Sequence, residues 1–136
     1  MGAIVCATGN GIASRSVQSA AVDLAQRQGK RLVFLHVVDV SRLGEIEEGL
    51  VPSAERELAW LGQATLRLAQ ERARRRDVDA DIAIRFGRVQ PALERFIEEE
   101  RAEVLLLGQP TDNALLEFAR TIEADTGVPV QLVTAP

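Results

Sequence analysis

The chain has one cysteine, one histidine, one tryptophan and no tyrosine among 136 residues, and each scarcity closes off a class of function. A lone Cys6 excludes an intramolecular disulfide framework and fits a reducing compartment. A lone His36 excludes catalytic histidine pairs and metal clusters built on histidine. Four phenylalanines and one tryptophan are too few for a base-stacking platform. Basic excess is missing as well: 16 Lys and Arg stand against 20 Asp and Glu, a net charge of −4, so no electrostatic footprint for nucleic acid or an anionic membrane is present. No apolar run approaches the ~20 residues of a membrane span. No charged n-region precedes an apolar core, so no signal peptide is expected. Internal repeats, low-complexity tracts and linkers are also lacking. The expectation is one cytoplasmic domain over residues 1–136, large enough to bury its own core, with neither a membrane nor a nucleic-acid partner.

What is present is a set of short apolar runs separated by helical patterns. Ala3-Ile4-Val5-Cys6-Ala7-Thr8 is apolar almost without interruption, as a strand buried on both faces of a parallel sheet should be. Gly9-Asn10-Gly11 then makes a turn, and Ser14 is the expected N-cap of a helix with apolar positions at Val17, Ala20, Ala21, Leu24 and Ala25. Gly29 sits where a left-handed C-terminal cap is wanted. Leu32–Val38 is a second buried strand, so the first unit reads as βαβ. Residues 39–52 form a long acidic connection holding either a short helical turn or a flap. Ser53 opens the longest helix, to about Arg76, with a stripe at Ala54, Leu58, Leu61, Leu68 and Ala69; Trp60 and Leu66 fall off that stripe. Glu55 and Glu57 near its start and Arg72, Arg74, Arg75 and Arg76 at its end suit the helix dipole.

Ala80–Phe86 alternates like an edge strand. The next helix carries Pro91 in its first turn and an apolar face of Val89, Ala92, Leu93, Phe96 and Ile97, with Glu98–Glu100 at its solvated end. Val104–Leu107 is a buried strand ending at Gly108. Gln109–Asn113 is a turn, followed by a helix with Leu115, Phe118, Ala119 and Ile122 on one face and closing at Gly127. Val128–Val133 alternates and contains Pro129, both marks of an edge strand. Five strands alternating with four helices predict a three-layer open α/β sandwich with a parallel sheet, and right-handed crossovers favour the order 3-2-1-4-5. The ligand cleft of such a sheet lies at its switch point, where Thr8–Gly11 would face Gly108–Asn113.

The order and spacing of Ile4-Val5-Cys6-Ala7-Thr8, Leu35-His36-Val37-Val38-Asp39, Gly87 with Pro91-Ala92-Leu93, Val104-Leu105-Leu106-Leu107-Gly108 and Gly127-Val128-Pro129-Val130 resemble the universal stress protein family over essentially the whole chain. The resemblance implies a Rossmann-like fold of the adenine nucleotide alpha hydrolase type. In the family's nucleotide binders an aspartate follows the first strand, and a loop of the form G-x-x-G, about nine residues, then G-[ST] follows the fourth. This chain has Gly9 at the aspartate's place. Gly108 matches the first loop glycine, but Thr111 stands where the second should be, and Gln109–Asn113 runs straight into Ala114-Leu115-Leu116. Glycine loops hold phosphate by letting backbone N–H groups converge without Cβ obstruction. A five-residue turn containing a proline has less reach, and neither loop supplies a lysine.

The expected ligand-contacting set, should the cleft bind anything, is Thr8, Gly9, Asn10, Gly11, Val38, Gly108 and Gln109. Gly9-Asn10-Gly11 would be an anion nest at a helix start, although a tight turn uses the same glycines. Asp39 and Asp112 are the only nearby acids for a metal, and none is expected. His36 and Cys6 read as buried structural residues, and Ser14, Ser16 and Thr8 lack base and orienting partners, so no enzyme constellation is expected. The resemblance further implies a homodimer through the last strand, at Val130, Gln131, Leu132 and Val133. The leading expectation is a stress-response or regulatory domain acting through an unidentified protein partner, without a cofactor. The alternative is a sensor holding ATP, ADP or another anion in an altered cleft.

Overall fold

The computed structural model describes residues 2–8, 12–109 and 113–134. The elements run β1 (Ala3–Ala7), α1 (Ile12–Gln28), β2 (Arg31–Val38), α2 (Val51–Arg74), β3 (Ala80–Phe86), α3 (Val89–Glu100), β4 (Ala102–Gln109), α4 (Asn113–Thr126) and β5 (Val130–Thr134). The five strands form one sheet in the order β3-β2-β1-β4-β5, and every neighbouring pair is parallel.

The apolar runs are continuous because successive side chains enter two different cores. Ile4 and Cys6 of β1, Leu32 and Phe34 of β2 and Leu106 of β4 point to one layer, closed by α1 and α2. Ala3 and Val5, Val33 and Leu35, and Leu105 and Leu107 point to the other, closed by α3 and α4. The period of two that normally gives a strand a wet face here divides it between two dry ones. A side chain such as Phe34, fully buried, contributes about 1.5–3 kcal/mol relative to exposure.

Gly29 and Gly127 end α1 and α4 with φ of 63° and 72°, and their N–H groups reach the Ala25 and Glu123 carbonyls at 2.8 Å, as left-handed caps require. The expected face of α3 is also found: Ala92, Leu93, Phe96 and Ile97 are buried, and Val89 packs at their edge.

Four expectations need correction. Helix α1 opens at Ile12, so Ser14 lies in its first turn and is not its cap. Helix α2 begins at Val51, with a proline in its first turn in place of a cap at Ser53, and Glu55 and Glu57 fall beyond that first turn. The stripe of α2 has a different phase: Gly62, Leu66, Ala69 and Ala73 are buried, while Leu61 and Leu68 are exposed. Small residues line the buried face because α2 lies close on the sheet, and counting leucines misplaced the stripe. Strand β5 begins at Val130, since Pro129 has no N–H to donate and contributes its carbonyl to Leu105 N at 3.0 Å. The connection over residues 39–52 holds two 3-10 turns, Val40–Leu43 and Glu48–Leu50, in keeping with the helical-turn expectation.

Candidate functional site

The sheet order puts β1 and β4 side by side and parallel, so their C-terminal ends, with that of β2, open on one edge of the sheet. Crossovers leave β1 towards β2 on one side and β4 towards β5 on the other. This is the switch point at which open α/β sheets bind ligands.

Thr8, at the end of β1, is buried and tied to β2 through every polar group it has. Its N–H donates to the Leu35 carbonyl at 2.8 Å and its hydroxyl to the same carbonyl at 3.3 Å. Its carbonyl lies 3.1 Å from His36 Nδ1. A carbonyl can only accept, so Nδ1 is the donor in this contact. The half-buried ring rests against Gly62 of α2, where an added Cβ would lie 2.3 Å from His36 Cδ2. His36 is thus a hydrogen-bonded spacer between the end of β1 and α2.

Val38 is buried, and its carbonyl accepts from Gly87 N at 3.0 Å, closing the end of β2 onto the turn after β3. Asp39 follows. Partial burial pushes its carboxyl upward, but hydrogen bonds from the Ser41 hydroxyl and N–H and from the Val89 N–H, with Arg42 nearby, outweigh that and hold it below the ordinary aspartate value. Val89 is the first residue of α3, so this carboxylate also sits where the helix dipole favours a negative charge. Gly108 pairs with Val133, and Gln109 with Thr134, at the end of β4. Gly9, Asn10, Gly11, Thr111 and Asp112 lie outside the described residues.

The structure therefore brings the ends of β1, β2 and β4 to one rim, while Thr8, Val38 and Asp39 spend their polar groups inside the fold. Three residues, Pro110, Thr111 and Asp112, join β4 to α4. Cys6 is fully buried below the rim, and burial pushes its thiol far up from the usual cysteine value, away from thiolate chemistry. Among the described residues, no group of three or more His, Cys, Asp or Glu side chains is placed to hold a metal. The described residues also contain no helix long and apolar enough to cross a membrane.

One ionisable feature escaped sequence reasoning. Glu94 of α3 has a buried Oε2 with no hydrogen-bond donor, and the Asp125 carboxyl of α4 lies alongside. Burial first, and then the Asp125 carboxyl, hold Glu94 above the ordinary glutamate value. Two acids 31 positions apart give no local signal; the packing of α3 on α4 brings them together.

A three-layer sandwich around a parallel sheet in the order 3-2-1-4-5 defines a Rossmann-like α/β domain. The chain belongs to the universal stress protein family, whose model matches residues 1–124 and so stops short of β5. Among solved structures, it is similar to a universal stress protein family member from Burkholderia pseudomallei, at 25% identity and a TM-score of 0.75, covering 96% of this chain and 94% of that one. Universal stress protein UspA from Lactobacillus plantarum also superposes with a TM-score of 0.75, at 18% identity over 99% of this chain and 97% of its own. A family protein from Arabidopsis thaliana, solved with AMP bound, gives a TM-score of 0.72 at 11% identity, covering 100% and 93%. No curated protein sequence matches the chain at a significant level.

Proposed function

We propose that this chain is a homodimeric, cytoplasmic universal stress protein domain that has given up the family's usual ATP site and acts in stress response or regulation through protein contacts, without an enzymatic activity of its own. The observation that supports this most is the three-residue connection between β4 and α4. One of the three is a proline, so the connection itself carries two backbone N–H groups. A triphosphate needs several converging donors or a cation, and neither the connection nor the turn after β1 contains a lysine or arginine. The rim groups that are described, on Thr8, Val38 and Asp39, are already paired within the fold.

The dimer would form through β5, which is an edge strand with Val130, Leu132 and Val133 half-buried and Gln131 exposed. Antiparallel pairing of two such edges satisfies their outward N–H and C=O groups. Sedimentation velocity tests it: Val130→Asp and Leu132→Asp should each shift the protein to half its mass, with or without ATP. A mass unchanged in both variants removes β5 from the interface.

A second reading rests on the AMP, cAMP and dAMP bound in neighbouring structures. A nucleoside monophosphate asks less of the β4–α4 connection, and Gly9-Asn10-Gly11 before α1 would supply the anion nest. Under this reading the protein titrates with AMP and Gly9→Val abolishes the signal. Equal binding by Gly9→Val would move the ligand elsewhere.

A further inference from the structure

Helix α2 carries an apolar face that the fold leaves uncovered. Gly62, Leu66, Ala69 and Ala73 turn to the sheet, and the opposite side presents Trp60, Leu61, Ala64 and Leu68. Trp60 is 73% exposed, Leu68 57% and Leu61 49%, and Leu50 just before the helix is 55% exposed. A tryptophan flanked by leucines on a helix's outer side makes a contiguous patch, unlike the single exposed apolar residues common on surfaces.

We propose that this face is an interface between two copies of the chain, with their α2 helices packed antiparallel across a two-fold axis near Ala64. Charge complementarity favours a second copy as the occupant. The segment leading into the helix, residues 45–57, holds five acids and one arginine. Its far end, residues 67–76, holds five arginines and one acid. Within the chain, Glu71 already pairs with Arg74 and Arg75, and Arg76 with Asp23, yet the end keeps its net positive charge. An antiparallel pair centred on Ala64 sets residues 52–57 of one helix, with Glu55 and Glu57, against residues 71–76 of the other, with Arg72, Arg74, Arg75 and Arg76, and the helix dipoles oppose in the same sense. Ala64, midway along the patch and exposed, is small enough to let the backbones approach at the axis. The 24 residues of α2 rise about 36 Å, which gives the seam its length. A self-pairing patch of this kind is isologous and closes on itself. It lies on the α1–α2 layer, so it is independent of any pairing through β5.

The test uses the single tryptophan, since Trp60 is the chain's only indole and no tyrosine interferes. In the unmutated protein its emission should lie at the water-exposed limit when dilute and shift to shorter wavelength as concentration rises from nanomolar to tens of micromolar. In sedimentation, Ala64→Glu should weaken association about a hundredfold, the scale of two like charges set face to face. Placed in a Leu132→Asp background, it should halve whatever mass remains, which separates this interface from one at β5. Added salt should also loosen the pair. An emission wavelength independent of concentration, with a mass unmoved by Ala64→Glu, overturns the proposal. A shift seen only on adding phosphatidylglycerol vesicles overturns it too, in favour of a membrane surface.

Discussion

Gly62 is where the close approach of α2 to the sheet can be measured. A glycine inside a helix ordinarily costs about 1 kcal/mol relative to alanine, so Gly62→Ala on propensity alone should stabilise the protein by that amount. Here the added Cβ would lie 2.3 Å from His36 Cδ2, 2.8 Å from Nε2 and 2.9 Å from Cγ. The ring cannot swing aside freely, because Nδ1 is held to the Thr8 carbonyl at 3.1 Å. Overpacking of this kind costs about 1–3 kcal/mol. Breaking the His36–Thr8 hydrogen bond to relieve it forfeits about 0.5–1.5 kcal/mol more. With the propensity gain subtracted, the net expectation is a loss of about 0.5–3.5 kcal/mol. In a His36→Ala background the obstruction is gone, and the same Gly62→Ala change should stabilise by about 1 kcal/mol. Urea unfolding of the four proteins, followed by far-UV circular dichroism, gives the cycle. Reversal of sign between the two backgrounds is the expected result. The same sign in both would refute a packing role for the glycine.

Further expectations concern the two perturbed carboxyls. Glu94 is held above its ordinary value, so the folded state keeps its proton longer and stability falls as pH rises from the ordinary value of 4.5 through the raised one. Glu94→Gln should flatten that decline and raise stability at neutral pH, by under about 1 kcal/mol given solvent screening; an unchanged pH profile would contradict the pairing with Asp125. Asp39 shifts the opposite way, and its contribution is present above the ordinary value of 3.8 and lost as pH falls through the lowered one. Asp39→Asn should therefore destabilise modestly at neutral pH, by under about 1 kcal/mol for so exposed a group, and make little difference in acid. A penalty that persists at low pH would mean that the carboxylate's charge is not what holds the start of α3.

The strands were legible because a strand buried on both faces leaves an unbroken apolar run, and Ile4–Cys6, Leu32–Leu35 and Leu105–Leu107 each show one. The helix ends at Gly29 and Gly127 were legible because a left-handed φ calls for glycine there. Helix α2 was misphased because its buried face is made of Gly62, Ala69 and Ala73 around one leucine, whereas Leu61 and Leu68 carry more hydrophobicity on the outside. Sequence weighs size, and the close contact of Gly62 with His36 selects against it. The rim formed by the ends of β1, β2 and β4 was legible as a place, since the sheet order follows from the alternation of elements. What its groups bond to was not: the engagement of Thr8 by Leu35 and His36, of Val38 by Gly87 and of Asp39 by Val89 depends on strand register and on the docking of α3.

Titration calorimetry of the purified protein with ATP, with and without magnesium, addresses the proposed loss of the nucleotide site without intermediaries. A β4–α4 connection of three residues, one of them a proline, predicts no binding heat in the micromolar range. Micromolar binding of ATP would contradict it and would mean that phosphate is held by another set of donors.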